Sequence, residues 1–354
     1  MGENQKRVTV KDVARIAGVS IGTVDRVLHD RGEVSQKSKE RILKVIREIG
    51  YKPNIYASML ASNKEYHLYC LIPQMQEGEY WGLARKGISR AEEENAPHNI
   101  SVHILEFDQF DADSFRRTCH ELLSKEMHGV VLVPMYPDDT MELTKELNER
   151  NIPYVYIDSK VENDPYLAYY GIPMYESGSL AAALLAGQGL SKEIACIGIE
   201  RGNSISDNAT TSRKEGFMTY LAEHSPETVV HNVLLFPYDS PRNTQILDTF
   251  FKQHPEVRDV ITFNSRIYLI AEYLKQSGLQ NYRLLGFDML ERNVFALKEG
   301  YIRYLIAQHT ETQLYQSIHS LARMLTLNTP PEPRDNYMPM DIIIKENVDF
   351  YKDI

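Results

Sequence analysis

The sequence predicts an α/β protein, in which a short all-α segment at the N-terminus precedes a larger core of parallel β-sheets flanked by helices. Two observations support this fold class. Residues 1–64 show helical periodicity and hold 13 Lys and Arg against 7 Asp and Glu, whereas residues 65–354 hold 26 against 42. In the second part, short apolar runs alternate with amphipathic stretches. The length of 354 residues suits about two or three domains.

Two short helices joined by a tight turn are predicted at the start of the chain. Thr9 and Asp12 form a capping-box-like beginning of the first helix, and Gly18 ends it. Ser20 caps a second helix over residues 21–29. Two short helices joined by a Gly-containing turn of this length have helix-turn-helix form. The positive charge of this segment suits contact with DNA phosphates.

A third helix is predicted between Ser35, which is a typical N-cap residue, and Gly50, which ends it. Apolar residues at i, i+3, i+4 and i+7 predict the stripe that closes a small three-helix core: Ile42, Val45, Ile46 and Ile49. Spacing alone leaves a generic helical bundle open as the alternative.

The remainder of the chain is predicted to fold as two lobes of parallel sheet covered by helices. Eight apolar runs predict strands: HLYCLIP, SVHILEF, GVVLVP, PYVYIDS, IACIGI, VVHNVLLF, DVITFN and YRLLGFD. Three of the intervening stretches predict helices: WGLARKGISRAEEE, ESGSLAAALLA and RIYLIAEYLKQ. Ligands in such folds bind outside the carboxyl ends of the strands.

Composition excludes several classes of protein. No run of about 18 apolar residues occurs, and the opening MGENQKRVTV has no secretory pattern, so we expect a cytoplasmic protein without membrane contact. Cys70, Cys119 and Cys196 lie far apart in apolar stretches, without CxxC or Cys/His spacing. They are predicted to be buried, reduced thiols, and no disulfide, metal site or cofactor is predicted.

Enzyme signatures are missing from the sequence, which contains no P-loop, HExxH or GxGxxG. The run GVSIG at residues 18–22 has the letters of GxSxG, but it joins two predicted helices, whereas a nucleophile elbow joins a strand to a helix. The eleven His are scattered without triad partners. Asp158 and Asp288 follow different strands, a pattern typical of binding rather than acid–base groups. We therefore predict no catalytic residues and a protein that is not an enzyme.

The run VTVKDVARIAGVSIGTVDRV, followed by VSQKSKERILKVIREIGYKPN and ASMLAS, resembles the lactose-repressor (LacI) family without a gap over residues 8–62. The resemblance implies a transcription regulator that binds double-stranded operator DNA. It implies a helix-turn-helix headpiece over residues 1–53, a hinge helix and linker over residues 54–64, and an effector-binding and dimerisation domain over residues 65–354.

The resemblance also assigns DNA contacts to individual residues. Arg26 matches the base-reading position, where a guanidinium donates twice to guanine O6 and N7; a solvated helix Arg is the alternative. Leu60 matches a hinge leucine that inserts into the minor groove, with packing on the core domain as the alternative. Residues that match phosphate or flanking backbone contacts fix register without reading sequence: Thr9, Ser20, Thr23, Ser35, Tyr51 and Asn54.

Three positions on the second helix depart from the family pattern, in which many members carry polar readers or a serine. Ile21 can contact only a thymine methyl, and Gly22 offers no side chain. Asp25 is placed to accept from cytosine N4, although pairing with a nearby Lys or Arg is the favoured interpretation. We therefore expect operator specificity to depend mainly on Arg26 and on DNA shape.

Residues 65–354 resemble the ribose-binding-protein type of periplasmic-binding fold, in which a ligand binds between two lobes. The resemblance implies effector contacts by seven residues: Tyr80, Trp81, Asp158, Arg213, Asn264, Asp288 and Gln308. Amide and charged groups at strand ends suit the hydroxyls of a sugar or polyol. Trp81 has a core position as its alternative, and the polar residues have structural caps or turn hydrogen bonds as theirs.

Two departures from the pattern of the resembling fold affect which ligand the pocket can bind. Ser159 stands where an arginine often follows the strand-end aspartate, and Pro173 and Met174 replace a frequent Asp-Asn pair. These changes leave the identity of the effector open, and they leave open a vestigial pocket. They also leave open whether Pro173 and Met174 abolish sugar binding.

We expect a homodimeric regulator, with repression as the expected mode, controlled by a sugar-like effector. The ending MDIIIKENVDFYKDI lacks a leucine-heptad tail, which favours a dimer over a tetramer. A solute-binding protein for a transporter is one alternative, disfavoured by the basic headpiece. A regulator whose core serves only for dimerisation is the other. The operator sequence and the direction of the effector's action stay open.

Overall fold

The computed structural model describes residues 9–28, 34–49, 64–187, 189, 191–200 and 208–351. The chain divides into two compact units, Met1–Lys64 and Glu65–Ile354. The predicted contacts of Tyr51, Asn54 and Leu60 lie outside the described residues, as does the side chain of Asp25.

The first unit contains three helices, as predicted: α1 (Val10–Ala17), α2 (Ile21–Leu28) and α3 (Gln36–Glu48). Thr9 and Asp12 form a complete capping box at α1, and Gly18 ends this helix in a left-handed conformation with φ of 64°. The small apolar core of this unit draws on all three helices: Val13, Ala14, Ala17, Val24, Val27, Ile42 and Val45. Two further members of the predicted α3 stripe, Ile46 and Ile49, pack against it partly buried.

The first lobe of the second unit is a six-stranded sheet whose neighbouring strands all run parallel. Its strands are β1 (Tyr66–Pro73), β2 (Ile100–Phe107), β3 (Gly129–Leu132), β4 (Tyr154–Ile157), β5 (Ala168–Gly171) and β11 (Asp335–Tyr337). Their order is β11-β5-β4-β3-β1-β2. The helices of this lobe are α4 (Ala84–Asn95), α5 (Ala112–Leu123), α6 (Pro137–Glu149) and α12 (Thr310–Leu327). Two short 3-10 turns precede and follow α4: Tyr80–Leu83 and Ala96–His98.

The second lobe has a six-stranded sheet of its own, parallel except for its last strand, which runs antiparallel. Its strands are β6 (Glu193–Ile199), β7 (Val229–Leu235), β8 (Asp259–Thr262), β9 (Arg283–Phe287), β10 (Ile302–Ala307) and β12 (Asp341–Ile343). Their order is β12-β10-β9-β8-β6-β7. The helices are α7 (Met174–Ala186), α8 (Asn208–His224), α9 (Ser240–Gln253), α10 (Tyr268–Gln276) and α11 (Glu291–Glu299), with a 3-10 turn at Val348–Phe350.

The chain passes between the two lobes three times. The crossings lie between β5 and α7, between β10 and α12, and between β11 and β12. Three short connections of this kind give two bodies that can open and close about the segments that join them. Gln308 and His309 form the second crossing, so one predicted pocket residue belongs to a connection between lobes.

Cys70, Cys119 and Cys196 are buried, as predicted. Burial raises the pKa of each thiol to about 12, so none of them is a reactive thiolate near neutral pH. Among the helices that the structure describes, none is both long enough and apolar enough to cross a membrane.

Candidate DNA-binding surface and ligand cleft

Helix α2 has one face in the core of the first unit and one face in solvent. Val24 and Val27 are buried, whereas Ile21, Gly22 and Arg26 are exposed, Ile21 by 47%. With 3.6 residues per turn, these three exposed positions fall on one side of the helix. Arg26, which is predicted to contact bases, therefore lies on the same exposed face as Ile21 and Gly22, two of the positions that depart from the family pattern.

Three of the predicted phosphate contacts begin helices and are exposed: Thr9, Ser20 and Ser35. Each side-chain oxygen accepts a backbone N–H three residues further on, at 3.1–3.4 Å. Thr23, half-buried, has its hydroxyl 2.8 Å from that of Ser20. Exposed helix starts present N–H groups and the positive end of the helix dipole, which suits phosphate. Capping and DNA contact are therefore compatible at these positions.

A cleft lies between the two lobes of the second unit, with an empty volume of about 620 Å³ that includes space open to solvent. All seven predicted effector residues line it: Tyr80, Trp81, Asp158, Arg213, Asn264, Asp288 and Gln308. The first lobe supplies three of them, the second lobe supplies three, and Gln308 belongs to a crossing. The position matches the rule that ligands bind outside the carboxyl ends of parallel strands.

Arg213, in α8, is only 3% exposed and is held on three sides. Its guanidinium donates to the Phe263 carbonyl at 2.8 Å and to Gln308 Oε1, and it lies 4.2 Å from the centre of the Phe287 ring. Its Nε has no hydrogen-bond partner among the described residues. An unpartnered donor on a buried cation costs free energy, so this atom is suited to a ligand oxygen.

The contact between α7 and α8 fixes the backbone of Arg213. A Cβ on Gly178 of α7 would lie 1.8 Å from the Arg213 carbonyl oxygen, and a Cβ on Gly216 of α8 would lie 1.9 Å from the Tyr175 carbonyl oxygen. Only glycine permits the two helices to approach this closely. The helix pair therefore holds Arg213 at the cleft.

Asp288 follows β9 in a left-handed conformation with φ of 66° and is 3% exposed. Gln308 donates to its Oδ2 at 2.8 Å and so links Asp288 to Arg213. Burial raises the pKa of Asp288 to about 7, in spite of the nearby positive charge of Arg213, which lowers it.

Asp158 follows β4 with a similar left-handed φ of 65°. Tyr80 donates its hydroxyl to Asp158 Oδ1 at 2.9 Å. Burial, together with the charge of Asp158, raises the pKa of Tyr80 well above its ordinary value, so the phenol keeps its proton. The backbone N–H of Asp158 donates to Gln313 of α12 at 2.9 Å, which anchors this strand end.

Trp81 and Asn264 have structural roles as well as cleft positions. Trp81 is 2% exposed, belongs to the apolar core, and packs edge-on against Tyr80 with ring centres 4.9 Å apart. Asn264 Oδ1 accepts the backbone N–H of Arg266 at 2.9 Å within its own turn. The structural interpretations of these two residues are therefore realised in part, while both side chains still line the cavity.

An ion pair that the sequence did not indicate joins the two lobes at the cleft. Arg266 of the second lobe donates from Nε to Glu79 Oε2 of the first lobe at 3.1 Å, and Tyr268 donates to Glu79 Oε1 at 2.6 Å. The Arg266 guanidinium also lies 4.8 Å from the centre of the Phe110 ring. Glu79, Phe110 and Arg266 line the cavity, so this bridge spans its wall.

Other lining residues were missed although they stand at strand ends, including Val133 after β3, Ile199 at the end of β6 and Phe263 after β8. The strand-end rule alone would have found them. Pro173 and Met174 are not among the lining residues, and Met174 is buried in the core.

Comparison with known proteins gives matches to both parts of the chain. Residues 9–54 match the bacterial regulatory proteins of the lacI family, and residues 69–329 match the periplasmic binding protein domain. The regulator RegA of Clostridium saccharobutylicum is 29% identical over 59% of each chain. The ribose operon repressor of Halalkalibacterium halodurans is 24% identical over 96% of each chain. A solved Bacteroides fragilis structure, assigned as a LacI transcriptional regulator, is 38% identical with a TM-score of 0.78, covering 81% of this chain and 100% of that one.

A helix-turn-helix unit followed by a two-lobed periplasmic-binding domain defines a ligand-controlled DNA-binding regulator. The chain belongs to the LacI family of bacterial transcription regulators. It is therefore grouped with DNA-binding proteins and not with enzymes.

Proposed function

We propose that this chain is a cytoplasmic, homodimeric repressor whose headpieces bind a pseudo-palindromic operator and whose cleft binds a neutral sugar or polyol. The proposal includes the division into a headpiece at residues 1–53, a hinge at 54–64 and an effector domain at 65–354. The observation that carries it is the buried polar network of Arg213, Gln308 and Asp288 in a cleft between two lobes.

The donors and acceptors of the cleft support a polyhydroxylated ligand. The carboxylates accept hydrogen bonds from ligand hydroxyls, and the guanidinium and the amides donate hydrogen bonds to ligand hydroxyls. Each hydroxyl can therefore act both as a donor and as an acceptor in this cleft. Tyr80 and Trp81 add apolar ring surface, as sugar faces require. The ribose operon repressor among the relatives is named for a sugar operon.

Charge supports a neutral effector over a phosphorylated one. The buried charged residues of the lining are two carboxylates, Asp158 and Asp288, and one cation, Arg213. The nearby Arg266 is already paired with Glu79. A phosphate in this cleft would meet two buried carboxylates and only one partly committed guanidinium, which is unfavourable at low dielectric.

The headpiece features support sequence-specific DNA binding. Arg26 is exposed on α2 and suits bidentate contact with guanine, while Thr9, Ser20, Thr23 and Ser35 suit phosphate contacts. Tyr51, Asn54 and Leu60 complete the proposed set outside the described residues. Effector binding alters operator affinity only as far as the effector binds the two lobe arrangements unequally.

A thermal-shift screen of the full chain against neutral sugars, polyols and their phosphates tests the effector proposal. A true effector at 100 times its dissociation constant stabilises the protein by about 2.7 kcal/mol. We expect a neutral compound to raise the melting temperature and its phosphate to have no effect. The Arg213→Ala variant should lose the response. A screen without any stabilising compound would favour a core that serves only for dimerisation.

A further inference from the structure

Two histidines and a glutamate converge at the end of the second lobe away from the cleft. His231 of β7 has its Nε2 atom 2.9 Å from Oε2 of Glu193, the first residue of β6. His254, which directly follows α9, has its Nδ1 atom 3.4 Å from the same oxygen. Among the described residues, this is the one group of three His, Cys, Asp or Glu side chains whose ligand atoms all lie within 4.8 Å of one another.

The fold brings these three residues together from distant parts of the sequence. Glu193 and Ala195 point to the same face of β6 because side chains alternate along a strand, and Ala195 is in register with His231 on the parallel strand β7. Helix α9 packs against β7, and the N–H of His254 donates to the Phe250 carbonyl at 2.9 Å to hold the helix end in place. Ile199, at the other end of β6, lines the cleft, so this cluster is separate from the effector site.

We propose that Glu193, His231 and His254 bind a divalent transition-metal ion, with Zn²⁺ as the best fit. Two imidazole nitrogens and one carboxylate oxygen are a known zinc donor set. Hard cations such as Mg²⁺ and Ca²⁺ prefer oxygen ligands throughout and are disfavoured here. The site would hold an ion with three protein ligands and leave its remaining position to water.

The distances from the two imidazole nitrogens to the carboxylate oxygen suit such an ion. Tetrahedral coordination with metal–ligand bonds of about 2.0–2.2 Å places ligand atoms about 3.3–3.6 Å apart. His254 and Glu193 already stand at 3.4 Å, and the 2.9 Å pair of His231 and Glu193 needs to open by only about half an ångström. The 3.4 Å approach is longer than a normal N–H···O hydrogen bond, so hydrogen bonding alone leaves the position of His254 unexplained.

Burial and ring packing also favour a metal site over a chance surface contact. The three side chains are 22–30% exposed, enough for an ion to enter and for water to complete its coordination. The two imidazole rings have centres 4.0 Å apart, and both pack on Phe250. This packing limits the rotation of the two rings, so less side-chain conformational entropy is lost when the metal binds.

A bound ion would join β6, β7 and the end of α9, and so stabilise the outer edge of the second lobe. The sequence predicted no metal site because the three residues are separated by 38 and 23 positions, without any short ligand motif. Only the strand register and the helix end bring them together.

Calorimetric titration of the full chain, stripped with a chelator, with ZnCl₂ tests the proposal. We expect one Zn²⁺ per chain at the site, a rise in melting temperature on binding, and no response to MgCl₂. His231→Ala and His254→Ala should each weaken Zn²⁺ binding by at least about a hundredfold, and Glu193→Gln by at least about tenfold, because each removes a ligand. His120→Ala removes an exposed histidine on α5 and should change nothing.

A cobalt measurement keeps the proposal testable if the variants fold poorly. Co²⁺ added to the unmodified protein should give the intense visible absorption typical of tetrahedral coordination, and Zn²⁺ should displace it. Undiminished Zn²⁺ binding in a folded His231→Ala/His254→Ala variant would overturn the site. So would the absence of any Zn²⁺ or Co²⁺ binding by the unmodified protein, which would leave a hydrogen-bonded cluster only.

Discussion

Asp288 and Arg213 meet through Gln308 in one buried network, so each should be needed for the effector and neither for DNA. We predict that Asp288→Ala and Arg213→Ala lower effector affinity at least a hundredfold, because each removes the charged partner of a hydrogen bond in a desolvated cleft. Dimerisation and operator binding should survive. Calorimetry with the effector found by screening, beside operator titrations, measures both properties.

The structure already bears on the competing role of Asp288 as a turn cap. Asn293 makes that local contact, since its amide donates to the backbone carbonyls of Ser265, Phe287 and Asp288 at 2.8–3.1 Å. The Asp288 carboxylate points instead to Gln308. Asn293→Ala is therefore the matched control, expected to lower the melting temperature. Unaltered effector affinity in both cleft variants would remove Asp288 and Arg213 from the site.

The raised pKa of Asp288 predicts a pH dependence of stability. The folded carboxyl has a pKa of about 7 against 3.8 for an exposed one, so the folded state holds the proton more tightly. The contribution of the protonated Asp288 carboxyl to the free energy of unfolding is complete below about pH 4. It is lost as the pH rises towards 7. Relative to Asp288→Asn, the unmodified protein should lose stability over this range, by an amount on the order of a few kcal/mol. Parallel pH dependences of the two melting temperatures would contradict the shift.

Arg26 is the residue on which sequence reading by α2 should depend. We predict that Arg26→Ala lowers affinity for the operator by about 1–3 kcal/mol and leaves affinity for random DNA nearly unchanged, because a base contact is lost and phosphate contacts are kept. Competition gel shifts with both DNAs measure the difference. Equal losses would show that Arg26 supplies charge only.

Three of the cleft residues were predictable because each follows an apolar strand that the sequence displays. Asp158, Asn264 and Asp288 stand at strand ends, where the topology of parallel sheets places ligands. The pairing of Glu79 with Arg266 was not predictable, because the partners are 187 positions apart and belong to different lobes. No local pattern encodes such a contact.

At the scale of elements, the bridge of Glu79 to Arg266 and Tyr268 should stabilise the closed arrangement of the lobes. We predict that Glu79→Gln weakens effector binding about three- to tenfold, because the half-buried ion pair contributes on the order of 1 kcal/mol to closure. Operator binding without effector should change little. Effector titration by calorimetry and small-angle scattering of the liganded protein follow affinity and closure together.

The control for this change is Glu77→Gln, an exposed carboxylate two residues earlier in the same loop. It alters net charge equally and should leave effector affinity unchanged. Equal effects of the two substitutions would assign the loss to charge alone and exclude a specific contact between lobes.

All eight strands read from the sequence exist, with ends displaced by one or two residues. Four strands were missed for physical reasons. β11 and β12 have three residues each, too few for a periodic signal. β5 has Ala168 and Gly171, residues of low strand propensity, at two of its four positions. β10 contains the exposed Arg303 and a register shift between Ile302 and Tyr304, which break its apolar pattern. The return of α12 to the first lobe is a long-range packing outcome that the sequence does not display.

At the scale of the whole molecule, net positive charge is confined to residues 1–64. Residues 1–64 carry 13 Lys and Arg against 7 Asp and Glu, and residues 65–354 carry 26 against 42. A uniformly acidic chain would be repelled by DNA, whereas this division lets the headpiece approach phosphates while the effector domain stays in solvent.

Operator affinity of the full chain should therefore fall steeply with salt, by about 0.9 log units per phosphate contact for each tenfold rise in salt concentration. A fragment of residues 65–354 should bind no DNA at any salt concentration, because it lacks the basic unit and keeps the acidic excess. Fluorescence anisotropy with labelled operator at several salt concentrations measures both. The fragment's melting curve and its retained response to effector establish that it is folded. Specific operator binding by the folded fragment, or a salt-independent affinity of the full chain, would contradict the assignment of DNA binding to residues 1–64.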